Sequence, residues 1–109
     1  MSAQNVRKIP VIMNSAVLTA FGTYTYRPLS PEEARGLLAG GFMSAVGHPE
    51  AAKAASEILG AEVPVNRAEI HMEPGERAIV VRLKSRPPAG SEVHASVEAY
   101  EVGLLERLC

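Results

Sequence analysis

FMSAVGHPEAAKAASEILG, residues 42–60, is the stretch that decides the fold. Phe42 to Val46 is a short apolar run with the length of a buried strand. Gly47 interrupts it, Pro49 opens an alanine-rich segment, and Gly60 closes that segment. Proline is favoured at the first helical position, where no N–H is needed, and glycine just past the last turn. The stretch therefore reads as a strand over 42–46, a tight corner, and a helix over 49–59. His48 falls on the corner, beside the unsatisfied N–H groups of a helix start, and such positions attract anions. An imidazole placed there can exchange protons with a bound phosphate. It can equally do no more than cap the helix.

Working outward, Val11 to Asn14 is a short apolar strand, and Thr23 to Tyr26 alternates strand formers. Ser30, Pro31 and Glu33 form a capping-box signature, which predicts a first helix from about Pro31 to Ala39, ended by Gly40 and Gly41. The second half reads as a hairpin: one strand over 67–72, a turn at 73–76, and a return strand over 77–83. On the return strand Ile79, Val81 and Leu83 share one face, and Val80, Arg82 and Lys84 the other. Residues 91–99 are ambiguous, and the tail from Tyr100 fits either a strand or a short helix. Residues 1–8 read as a flexible leader and 9–109 as one domain. The predicted class is α/β, a mixed sheet of about five strands with short helices packed on it.

Composition narrows the function. The chain has 109 residues, 47% hydrophobic and 21% charged, enough for one modest core. Eleven basic and twelve acidic side chains nearly cancel, which argues against strong duplex DNA binding. Any anion site must then be a local cluster. Arginine, the better phosphate fork, outnumbers lysine eight to three. Every acid is glutamate, the lone cysteine is Cys109, and the histidines at 48, 71 and 94 lack metal-ligand spacing. Neither a metal nor a cofactor is expected. No stretch has transmembrane length, so no membrane is expected as a partner, and the expected compartment is the cytoplasm.

The polar residues that could carry chemistry sit near element ends. Arg67 opens the first hairpin strand, and Arg86 follows the second; both could grip a phosphate or be solvated surface arginines. Arg82 and Lys84 read as plain exposed sheet residues. Asn14 and Ser15 could contact a base or sugar, or hydrogen-bond their own turn. Glu50, two residues past His48, suits a helix N-terminus electrostatically and could help orient the imidazole.

Taken together, the strings NSA at 14–16, GFMSAVGH at 41–48, VPVNRAEI at 63–70 and LKSRPPAG at 83–90 resemble one family. It is the small viral and phage family of anti-CRISPR ring nucleases, formerly a domain of unknown function, with relatives in bacteria and archaea. The resemblance runs from about Val11 to Leu108. It implies a mixed α/β sheet, a homodimer, and metal-independent cleavage of cyclic tetra-adenylate, the second messenger of type III CRISPR defence. It carries the catalytic histidine onto His48 with Gly47 beside it. The phosphate-contacting arginines fall on Arg86 and Arg67, and the early polar loop on Asn14 and Ser15.

In such a reaction a ribose 2′-hydroxyl attacks the adjacent phosphorus, leaving linear adenylates with 2′,3′-cyclic phosphate ends. His48 would act as general acid, with Arg86 assisting catalysis by spreading the charge. One departure stands out: Ala89 occupies a position where some members carry an assisting Glu. A non-cleaving module that binds cyclic oligonucleotides or other nucleic acid is the alternative, and a DNA-binding or protein-interaction domain a further one.

Overall fold

The computed structural model describes residues 9–15, 18, 20–84 and 100–109. In chain order the elements are β1 Val11–Met13, β2 Tyr24–Pro28, α1 Pro31–Leu37, β3 Met43–Ala45, α2 Pro49–Leu59, β4 Arg77–Leu83 and β5 Tyr100–Arg107. The strands form one five-stranded sheet in the order β2-β5-β4-β1-β3. The α/β class and the mixed sheet are therefore as expected. β1 pairs in parallel with β3 on one side and β4 on the other. β5 runs antiparallel between β4 and β2. Three strands thus share a direction, and their carboxyl ends lie along one edge.

Both helices begin and end for local reasons. Ser30 caps α1: its side chain accepts from the Glu33 N–H at 3.1 Å, while Glu33 accepts from the Ser30 N–H at 3.1 Å. Those hydrogen bonds hold the Glu33 carboxyl below its ordinary range. α2 spans the predicted residues, with Pro49 in its first turn and Gly60 left-handed at φ 66°. Its alanine face packs on the sheet: Ala51, Ala52, Ala54, Ala55, Ile58 and Leu59 are buried with Ile12, Ile79, Val81 and Leu104 in one core cluster. Short helices gain most of their stability from such burial.

The opposite face of the sheet has a second cluster, Val11, Met13, Ala78, Val80 and Leu105, closed by Ile70 and Met72. This corrects the predicted hairpin. Residues 67–72 form no strand. β4 already has β1 on one edge and β5 on the other, so no free edge remains for a third partner. The alternation that suggested a strand is half real: Ile70 and Met72 point into the second cluster, but Ala68 is exposed. The segment covers the sheet rather than joining it. The turn at 73–76 does form, with Gly75 at φ 94° and the Glu76 N–H donating to the Glu73 carbonyl at 3.0 Å.

The ambiguous tail resolves as β5, buried on both faces at Leu104 and Leu105. Gly103 immediately precedes them: a Cβ there would stand 2.5 Å from the Tyr26 ring, which crosses the glycine. At the end of β5, Arg107 donates to the carbonyls of Met72, Phe21 and Cys109 and lies 5.9 Å from the Tyr24 ring centroid. It ties the β1–β2 connection, the covering segment and the tail together. Among the described residues no helix is long and apolar enough to cross a membrane.

Ile79 is fully buried at the centre of the sheet, so Ile79→Ala should lower the unfolding free energy by about 2–5 kcal/mol. Ser30→Ala, which removes only the cap of α1, should cost about 1 kcal/mol. Urea midpoints at unchanged m-value would measure both.

Candidate functional site

The site grows from the corner between β3 and α2. His48 is the N-cap residue of α2, with extended backbone at φ −132° and ψ 130°. Its carbonyl accepts the Ala52 N–H at 2.9 Å, the first bond of the helix. Its ring makes no capping hydrogen bond and is exposed. A capping role for the imidazole therefore falls away, and the ring is held by the backbone alone.

That backbone is clamped from both sides. The Asn14 side-chain oxygen, just past β1, accepts from the Gly47 N–H at 3.4 Å. Arg67 donates from Nε to the Gly47 carbonyl at 3.0 Å. A Cβ at residue 47 would come within 3.0 Å of the Arg67 side chain, so glycine lets that arm lie flat across the corner. One residue earlier, Asn66 donates its backbone N–H to the Val46 carbonyl at 2.7 Å and its side-chain amide to the Ser44 carbonyl at 2.7 Å. Ser44 in turn donates to the Pro64 carbonyl at 2.6 Å. The VPVNR segment runs beside β3, with Val65 bridged in parallel to Val46.

A cleft of about 590 Å³ opens at the carboxyl ends of the parallel strands, and His48, Asn14 and Ser15 lie on its wall. In sheets with parallel strands, ligands settle outside these ends. Arg82, Leu83 and Lys84 at the end of β4 line the cleft, as do Tyr100 at the start of β5 and Glu50 and Ala51 in the first turn of α2. Arg82 lies 3.5 Å through Nε from a Glu101 oxygen, its partner across the β4–β5 ladder; both side chains remain over two-fifths exposed, so the pair is a weak tether. Tyr100 is buried, and burial together with the charge of Glu50 pushes its hydroxyl above the usual phenol range.

The structure thus gathers three of the predicted site residues, His48, Asn14 and Ser15, with Gly47 at the hinge. Arg67 touches the corner but does not begin a strand, and its Nε is committed to the Gly47 carbonyl. Arg86 lies outside the described residues. Three charged or phenolic residues, Arg82, Lys84 and Tyr100, escape the sequence reading as site members, and Glu50, read there only as a possible support for the imidazole, joins them on the cleft wall. The parity of Arg82 and Lys84 was legible, but their approach to His48 depends on the parallel pairing of β1 with β3 and β4. Tyr100 reaches the cleft because it pairs with Leu83 across the β4–β5 ladder.

Comparison with known proteins gives a consistent lineage. The STIV B116-like family profile matches residues 10–103. Uncharacterized protein 26 of Sulfolobus islandicus filamentous virus (isolate Iceland/Hveragerdi) is 34% identical over 97 residues, covering 84% of this chain and 82% of that protein. Uncharacterized protein ORF117 of Acidianus two-tailed virus is 42% identical over 62 residues, 57% of this chain and 53% of that protein. Among solved structures, B116 of Sulfolobus turreted icosahedral virus superposes with a TM-score of 0.69 at 19% identity, over 91% of this chain and 99% of that one, which is a likeness of fold.

Asn14 and Asn66 hold the same four-residue corner from opposite sides. Removing either side-chain bond should cost about 1 kcal/mol. Because they share that corner, Asn14→Ala and Asn66→Ala should couple by at least about 0.5 kcal/mol in a double-mutant cycle of thermal or urea unfolding, whereas independent sites would simply add.

Proposed function

The chain belongs to the STIV B116-like family, and from that premise and the cleft we propose that it is a metal-independent ring nuclease that opens cyclic tetra-adenylate. The observation that carries the reading is the exposed His48 ring, free of any capping bond, on the wall of a cleft that also presents Arg82 and Lys84. An acid–base group beside two cations suits a phosphodiester. RNA brings its own nucleophile in the 2′-hydroxyl, so the protein need only align it, spread charge and serve the leaving oxygen.

Each task has a candidate. Asn14 and Ser15 offer short polar side chains to sugar or base at the end of β1. Arg82 and Lys84 gather the phosphates electrostatically, and Arg82 has its terminal nitrogens to offer while Nε faces Glu101. Arg86, which the family resemblance makes the charge-spreading arginine, follows Lys84 by two residues in sequence. His48 donates a proton to the departing 5′-oxygen as the 2′-oxygen closes on phosphorus. The products are linear adenylates ending in 2′,3′-cyclic phosphates. Removal of the messenger would silence type III CRISPR effectors in the cytoplasm of an infected host.

Size supports a shared site. A cleft of about 590 Å³ is of the scale that holds one drug-sized ligand, roughly 300–1,000 Å³. A ring of four nucleotides presents more surface than one such cleft can enclose. A two-fold dimer would offer His48 twice, to opposite phosphates of a ring that has matching symmetry.

Incubation with cyclic tetra-adenylate in EDTA tests the chemistry: linear products with cyclic phosphate ends are expected, and retention of intact ring would instead mark a binding module. His48→Ala should slow cleavage by about 10²–10⁴-fold and leave ring affinity within a few-fold. In sedimentation the active species should be a dimer; a monomer cutting at full rate would remove the shared site.

A further inference from the structure

We infer that a second, apolar hollow beside the cleft seats an adenine base of the bound ring; the inference rests on the function proposed above and says where that substrate is recognised. The hollow has a volume of about 120 Å³ and is walled by Met13, Ala45, Ala68 and Ile70 together with Asn14 and Ser15. Asn14 and Ser15 also stand on the wall of the cleft that holds His48. The two spaces therefore meet at the end of β1, with one pair of short polar residues between them.

They are walled from opposite faces of the sheet. Ala51 and Tyr100 of the cleft belong to the core cluster under α2. Met13 and Ile70 of the hollow belong to the cluster under the covering segment, and Ala45 packs against it. A nucleotide laid across the end of β1 has its phosphodiester in the cleft, its ribose over Asn14 and Ser15, and its base in the hollow. Asn14 also accepts from the Gly47 N–H at 3.4 Å, so the partition between base and phosphate is tied to the corner that carries His48.

The walls sort the two halves of a nucleotide. The cleft presents His48, Arg82 and Lys84, groups suited to charge and proton transfer. Among the described residues that line the hollow, none is a cation, and Glu69 on its rim carries the wrong sign for phosphate. Stripping a phosphate of water there would go uncompensated. A purine is a flat, largely apolar surface, and an apolar cavity of roughly 150 Å³ takes up a benzene molecule. The hollow is of that scale and opens to the surface beside the exposed Ala68. The Met13 thioether adapts its shape and makes favourable contacts with aromatic rings. Ala45 and Ala68 are small enough to keep the space open.

Filling the hollow separates recognition from chemistry. Ala68 is exposed and Ala45 only half-buried, so Ala68→Phe and Ala45→Leu enlarge the wall without crowding the innermost core. Each should raise KM for cyclic tetra-adenylate by about tenfold or more, while kcat on saturating ring stays within a few-fold. A ring carrying 2-aminopurine in place of adenine reports the surroundings of the base directly. Bound to His48→Ala, which leaves it intact, its emission should change; with Ala68→Phe added, the change should vanish at the same concentrations. Unchanged KM in both filled variants overturns the subsite, as does 2-aminopurine emission that keeps its solution value on the bound ring. A fall in kcat at constant KM overturns it too, by making the two alanines supports of the His48 corner. In these cases the native protein still cuts and the proposed function stands. A ring bound with the emission change but never cut keeps the subsite and removes the nuclease. A native protein that neither binds nor cuts the ring removes both.

Discussion

Gly47 has neither backbone group to spare, and the site depends on that. Its N–H is held by the end of β1 through Asn14, and its carbonyl by Arg67 from the covering segment. Two parts of the chain distant in sequence thus fix the peptide that precedes His48. The imidazole needs no bond of its own to be positioned, because its backbone is over-determined. A side chain at 47 would displace the Arg67 arm and loosen one of the two holds. Position is supplied by the main chain, which leaves the ring's nitrogens for a ligand.

Local signals were the most legible. The capping box at Ser30 and the Pro49-to-Gly60 helix follow from rules that act within a few residues, and the structure reproduces them. The strands were recognisable by composition but their partners were not. The 67–72 segment shows why: period-two apolarity reports one buried face, and an extended cover over a sheet buries a face as well as a strand does. Only the occupancy of both edges of β4 separates the two cases, and that is a property of the whole sheet. The tail was undecidable for a similar reason. β5 is buried on both faces, so it lacks the alternation that marks a half-exposed strand.

The site divides along the same line. His48, Asn14 and Ser15 were visible because turns and helix starts carry their own grammar. Arg82, Lys84 and Tyr100 enter only once the parallel strands collect their carboxyl ends at one edge. Arg67 reads in the sequence as a phosphate grip, and the structure shows it, with its neighbour Asn66, holding β3 and the corner. Sequence patterns that look like ligand contacts can thus serve as scaffolding for the residue beside them. The proposed chemistry draws on two parts of the cleft wall, with cations from the end of β4 and the imidazole from the start of α2.

The pairing of β1 has a bearing on how the chain comes to be folded. Val11 finds Met43 on one side and Ala78 on the other, so the middle of the sheet joins segments separated by most of the polypeptide. Such distant contacts repay the entropy of loop closure late and make folding slow. At a ribosomal pace of about 5–20 residues per second, β1 waits several seconds for β4 to be synthesised. Through that interval its apolar triplet stays without its permanent neighbours, and the nascent chain is exposed to capture by chaperones or by its own kind.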